Sequence, residues 1–408
     1  MSIVVFWTAV VAAPVVIENA QLEIGDGTTV AATPVLIDQG KIQGIGTFRM
    51  PPNAEHVDGR GKILTPGLID SITRLGLVDI DMEPATNDET VSGHVVTPDL
   101  RAADSFNPNS VRIPIEREEG ITSAVISPGG EVIFGTGSWV DLTGRPESTP
   151  DPARPVAMFG QVGEAAAQAA GGARGGTWMM LRQVFDDVHF YAQNRAAYLR
   201  GQSRPLMLTA AQIEALLPVA SGALSLVLTA NRASDIVAAL RFAEEQKIRL
   251  VISGGAEAWR VSRQLAAKKV PVILIPTMQV PHAFETLAAR DDAPALLHRD
   301  GVMVVIAAGE NDSENIRRLR QEAGTAVAYG LPHSAALAAI TSNPASVFGR
   351  GAQVGAIMVG KRANLVLWSS DPFETTTVAE RIWIDGVTQS LDNRQRNLVR
   401  RYLSAPVP

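Results

Sequence analysis

The sequence predicts an α/β protein: a (β/α)8 TIM-like barrel plus a small β-sandwich domain formed by both chain termini. Three observations carry this. The middle of the chain repeats Val/Ile/Leu runs of strand length, several followed by helical spacing, as in a parallel sheet covered on both faces. Both ends instead hold short strand-like runs broken by glycine turns. The length of 408 residues exceeds one small domain and suits a barrel with a second domain.

The elements follow in chain order. Residues 1–13 are mostly apolar and end in Ala12-Ala13, like the h-region of a secretory signal peptide. That implies a periplasmic or secreted protein. No basic residue precedes the run and Pro14 follows it, so a cytoplasmic protein with an ordinary first strand is the alternative. The run is too short for a stable membrane span. Val15–Ile24 and Val35–Ile45 read as strands, with Asp38-Gln-Gly40 as a hairpin turn. Together with the Val354–Trp368 and Thr375–Gly386 segments they predict one composite domain, 14–61 and 346–408.

The barrel is expected over 62–345. Its strands are read at Ile63–Asp70, Ile121–Ser127, Pro155–Phe159, Leu224–Thr229, Arg249–Ser253, Val270–Ile275 and Val302–Ile306. Val78–Asn109 is long, acidic and rich in turn formers, and predicts a loop over the barrel mouth. Gly160–Gly176 is dense in Ala and Gly and predicts a mobile loop. No Gly-x-Gly-x-x-Gly follows an early strand, which counts against a doubly wound dinucleotide fold.

Net charge is −6, which argues against a general nucleic-acid role. The basic run near Arg394–Arg401 reads as a solvated C-terminal helix. There are no cysteines, which removes disulfides, thiolate metal sites and a cysteine nucleophile.

The stretch Ile63-Leu-Thr-Pro-Gly-Leu-Ile-Asp-Ser-Ile-Thr-Arg-Leu-Gly76 resembles the first barrel strand of the metal-dependent amidohydrolase superfamily. Glu322–Ala345 resembles the closing helices of imidazolonepropionase-like amidohydrolases, and Gly355–Pro372 resembles their Gly-x-Ile-x-x-Gly-Lys-x-Ala-Asp-Leu-Val pattern. The resemblance implies a barrel hydrolase of C–N bonds with a divalent metal at its mouth. It also implies a His-x-His pair after Asp70, and here those positions are Ser71 and Thr73. A neutral hydroxyl does not replace imidazole as a ligand for zinc. The bridging lysine or acid that the resemblance implies has no counterpart in Leu206–Thr209, and the later His positions fall on Thr229-Ala-Asn231 and Ser253-Gly-Gly255, again without His.

The expectation is therefore an amidohydrolase-like protein with no cofactor. It would have lost metal-dependent hydrolysis and would bind a small molecule, or act as a non-catalytic partner of an active amidohydrolase paralogue or of a second copy. The pocket residues are Ser71, Thr73, Thr229, Asn231, Ser253 and Glu257, all at predicted strand ends. The catalytic candidates are Asp70, Glu310 and Asp312. The alternative is an active hydrolase of C–N bonds in amides, peptides or cyclic amides. It would hold zinc or another divalent metal with a displaced set drawn from Asp70, His94, His282, Glu310 and Asp312.

Overall fold

Seven short strands come first: β1 (Val15–Glu18), β2 (Gln21–Glu23), β3 (Thr29–Val30), β4 (Val35–Asp38), β5 (Lys41–Ile45), β6 (Glu55–Asp58) and β7 (Ile63–Pro66). The structure is a computed structural model, and it describes residues 13–309 and 315–403. Nearly all of the signal-peptide-like segment therefore lies outside the described residues, as do Glu310 and Asp312. The expected hairpin joins β4 to β5, with Asp38 paired to Lys41. Gln39 (φ 49°) and Gly40 (φ 77°) both take the left-handed conformation that a two-residue primed turn requires.

The barrel strands follow: β8 (Leu68–Thr73), β9 (Ile121–Ile126), β10 (Ile133–Asp141), β11 (Ala157–Gln161), β12 (Ser225–Ala230), β13 (Leu250–Gly254), β14 (Val272–Leu274) and β15 (Val304–Ile306). They form one eight-stranded sheet in sequence order. A bridge between Thr73 and Gly309 draws its two edges together. Apolar side chains from these strands fill the interior, among them Ile69, Val125, Phe159, Val227, Val251, Ile273 and Val305.

The alternation of strand and helix breaks on both sides of β10. β10 runs antiparallel to both β9 and β11. Residues 127–132 are too few for the crossover that a parallel return needs, so the chain turns back as a hairpin. The sequence hides this strand behind Gly135 and Gly137. Gly137 is required because a Cβ there would meet the Phe159 ring at 2.4 Å. A second difference is Gly160–Gly176, expected as a loop. It carries helix Glu164–Ala169 and the start of helix Arg174–Leu199, because alanine favours helix over coil.

Two more sheets use β16 (Leu365–Trp368), β17 (Ala379–Ile384) and β18 (Val387–Thr388). One has the order β5-β4-β1-β6 and the other β18-β17-β16-β7-β2-β3. In the second, β7 from the first part of the chain pairs with β16 from the last, Leu64 against Leu367. One apolar core runs through both chain ends and includes Ile17, Leu22, Leu64, Ile357, Leu365 and Trp383. The break at Pro66-Gly67 marks the passage from this sheet to the barrel. A Cβ on Gly67 would lie 2.1 Å from the Thr122 hydroxyl, so only glycine lets the chain cross. Among the described residues, no helix is long and apolar enough to cross a membrane.

Candidate functional site at the barrel mouth

The carboxyl ends of the parallel strands converge on one face, together with the start of β10. Two adjoining cavities open there and share Gln161 and Thr229. One is about 290 Å³, lined by Ile72, Arg74, Glu89, Ser127 and Phe134 among others. The other is about 440 Å³ and includes Asn231, Gln279, His282, Glu285 and Arg318. Glu89 and Thr90 come from the long acidic segment, which thus borders the mouth as its composition suggested.

The first barrel strand does not present the residues expected of it. The sequence places Ser71 and Thr73 in the pocket, yet both are fully buried and neither lines these cavities. Ile72 does. The reason is a bulge. Asp70 pairs with Ala124 and Thr73 with Ile126, three residues of β8 against two of β9. One extra residue exchanges the faces of a strand. Ile69 and Ile72, three apart, therefore both join the barrel interior. The Ser71 hydroxyl is buried with no hydrogen-bond partner, and the Thr73 hydroxyl accepts from the Leu75 amide at 3.1 Å.

Asp70 is a seam residue. It is fully buried, and its two oxygens accept from the Ile72 amide at 3.0 Å and the Ala308 amide at 2.9 Å. The second bond ties β8 to the segment after β15. Burial pushes its carboxyl up to about 7, against the pull of those two donors. Two other buried acids clasp the mouth segments in the same way. Glu116 accepts from the Arg317 amide, and Glu322 accepts from the amide and hydroxyl of Thr277 at 2.9 and 2.7 Å. Burial pushes Glu116 up to about 8.

Thr229 and Asn231 line the cavity wall as expected residues. Ser253 and Glu257 do not: Ser253 is buried within β13, and Glu257 accepts from the Ala233 amide at 3.0 Å, at the start of helix Ala233–Gln246. An acid just past a strand end serves equally well as the cap of the next helix. His282 lines the larger cavity, whereas His94 is exposed and lines neither.

Several lining residues gave no signal in the sequence. Arg74 is 5% exposed; its guanidinium pairs with Glu89 at 2.6 Å and donates to the carbonyl and hydroxyl of Ser127. Glu285 accepts from the Glu164 amide at 2.9 Å, from Asn231 at 3.4 Å and from Arg174 at 3.4 Å. Arg174 also pairs with Asp235 at 3.0 Å. Gln279 donates to the carbonyls of Gly254 and Ile275, both at 3.4 Å, and its Oε1 accepts no hydrogen bond. These residues sit on loops and helix starts, where strand patterning does not mark them.

The donor set bears on a metal. The described strand ends around the two cavities present Gln161, Thr229, Gly254, Ile275 and Ala308. Among the described residues no three His, Cys, Asp or Glu side chains come together to hold a metal ion. Neutral amide, hydroxyl and aliphatic groups do not fit the ligand preferences of a divalent transition metal.

The architecture is that of a TIM-like barrel with additional sheets, with its polar pocket at the carboxyl face of the barrel. The chain belongs to the amidohydrolase family. An amidohydrolase from Thermotoga maritima MSB8 matches with TM-score 0.84 and 30% identity, over 93% of this chain and 100% of that one. The model of the Amidohydrolase family matches residues 234–389. The amidohydrolase tasK of Hapsidospora irregularis is 24% identical over 388 residues, 87% of this chain. The chain spans 39% of that relative's length. A molinate hydrolase shares the fold at 15% identity, with TM-score 0.57 over 93% of this chain and 95% of that one.

Proposed function

We propose that the barrel mouth binds a small polar molecule and has given up the metal-assisted hydrolysis that the family resemblance implies. One observation carries the reading: the bulge in β8 sets Ile72 at the mouth, where the resemblance leads one to expect a metal ligand. A catalytic metal needs about three protein ligands and an open position. Ile72 supplies none, and the acid beside it in the smaller cavity, Glu89, is paired with Arg74 at 2.6 Å. Polarity supports binding. Gln161, Thr229, Asn231 and Gln279 offer both donors and acceptors, and Arg318 adds a positive charge. An idle buried acceptor such as Gln279 Oε1 costs on the order of 1–3 kcal/mol, which a suitable donor recovers.

Of the displaced ligand set, both oxygens of Asp70 are engaged by backbone amides and His94 stands off the cavity wall, while His282 lines the larger cavity and Glu310 and Asp312 lie outside the described residues. A thermal-shift screen of small amides and carboxylates tests the binding role. Thr229 stands in the wall shared by both cavities. A ligand should raise the melting temperature of the native protein and leave Thr229→Leu unmoved. A Thr229→Leu protein that is more stable than the native one, with no response to any compound in either, would mean the pocket binds nothing.

A further inference from the structure

We propose a second binding site, at the base of the barrel and independent of the mouth, that takes a small amphipathic anion. A cavity of about 440 Å³ opens beside the starts of β12 and β13. Its origin is local. Helix Ala233–Gln246 has 14 residues and helix Ser262–Ala267 has 6, so the shorter one leaves part of the sheet's flank uncovered. The floor is apolar, with Leu240, Ile248, Leu250, Val270 and Val347. The first four are 2–8% exposed. An apolar hollow of this size does nothing for stability, since interiors otherwise pack densely.

The rim carries the opposite chemistry. Arg249, Lys268 and Lys269 stand around it against one acid, Glu244. Lys268 takes that acid at 2.8 Å. The Arg249 guanidinium is steadied by the Ala223 carbonyl, and Lys269 is exposed. Neither has an acidic partner among the described residues. Three cations against one acid, on a chain of net charge −6, make a local positive field over an apolar floor. That combination fits an anionic head with an apolar body of alkyl or aryl type. A lysine that only offsets the negative end of the preceding helix would need no hollow beside it.

The test uses the full chain and 1-anilinonaphthalene-8-sulfonate, an aryl anion whose fluorescence rises on binding. It should bind at one saturable site and be displaced by dodecanoate but not by dodecyltrimethylammonium. Lys269→Glu changes an exposed side chain and should weaken binding about tenfold with an unchanged melt. Ala243→Phe, which fills the hollow from helix Ala233–Gln246, should abolish it. Thr229→Leu at the mouth should have no effect. Binding that survives both base variants, or that Thr229→Leu alone removes, overturns the proposal.

Discussion

Deleting residues 354–408 should yield an insoluble polypeptide. The truncation removes β16, β17 and β18 and leaves β7 with an unpaired edge next to β2. It also takes Ile357, Leu365, Leu367 and Trp383 out of the core shared by the chain ends, all of them 0–1% exposed. Each large apolar side chain contributes about 1.5–3 kcal/mol when buried. Four of them together amount to roughly 6–12 kcal/mol, comparable to the whole stability of an ordinary domain. Ile17, Leu22 and Leu64 would then face water beside an open strand edge, the arrangement that drives aggregation. The check is solubility and a melting curve. A soluble truncation that unfolds cooperatively would show that the chain ends do not depend on one another.

Replacing Glu116 by Gln should make the protein more stable at pH 8.5 and flatten its dependence on pH. The folded-state carboxyl is raised to about 8 by burial, from an ordinary value of 4.5. Below pH 4.5 the group is protonated in both states, and its contribution is fully present. Between about 4.5 and 8 the unfolded chain releases the proton while the folded protein keeps it, so stability falls as pH rises. At about 1.4 kcal/mol per pH unit, over the interval from 4.5 to about 8, the loss has an upper bound of about 5 kcal/mol. Glutamine keeps an acceptor for the Arg317 amide and has no proton to lose. A residual slope should remain from Asp70, which is raised to about 7 by the same cause. Denaturant midpoints at pH 5.0, 6.5 and 8.5 measure this. Parallel curves for the two proteins would show that Glu116 is not held neutral by the fold.

The architecture was legible in the sequence for a physical reason. A buried parallel strand must be apolar on both faces, so β9, β12, β13, β14 and β15 stand out as Val/Ile/Leu runs. The Pro66-Gly67 step was equally visible, although it divides two strands instead of interrupting one. The family resemblance pointed to the barrel and to its altered first strand. The site was less legible. Whether Ser71 or Ile72 reaches the mouth depends on a bulge, and the Ala308 amide held by Asp70 is 238 residues away. No local pattern encodes that contact. Thr229 and Asn231 stand out because a strand end fixes them; Gln161 also ends a strand, β11, but lies two residues past the apolar run that ends at Phe159, whereas Glu285 and Arg318 reach the pocket through tertiary packing. β10 escaped notice because its glycines, demanded by close contacts, carry no strand signal.

Metal content bears most directly on the central claim, that this member of the amidohydrolase family keeps the barrel pocket without the family's metal chemistry. Protein purified without added metal should be examined by elemental mass spectrometry, and its hydrolysis of amides followed before and after chelation. The account predicts zinc, manganese and iron well below one equivalent per chain, with a melting temperature that chelation leaves unchanged. About one equivalent of any of them, whose removal abolishes amide hydrolysis, would contradict it.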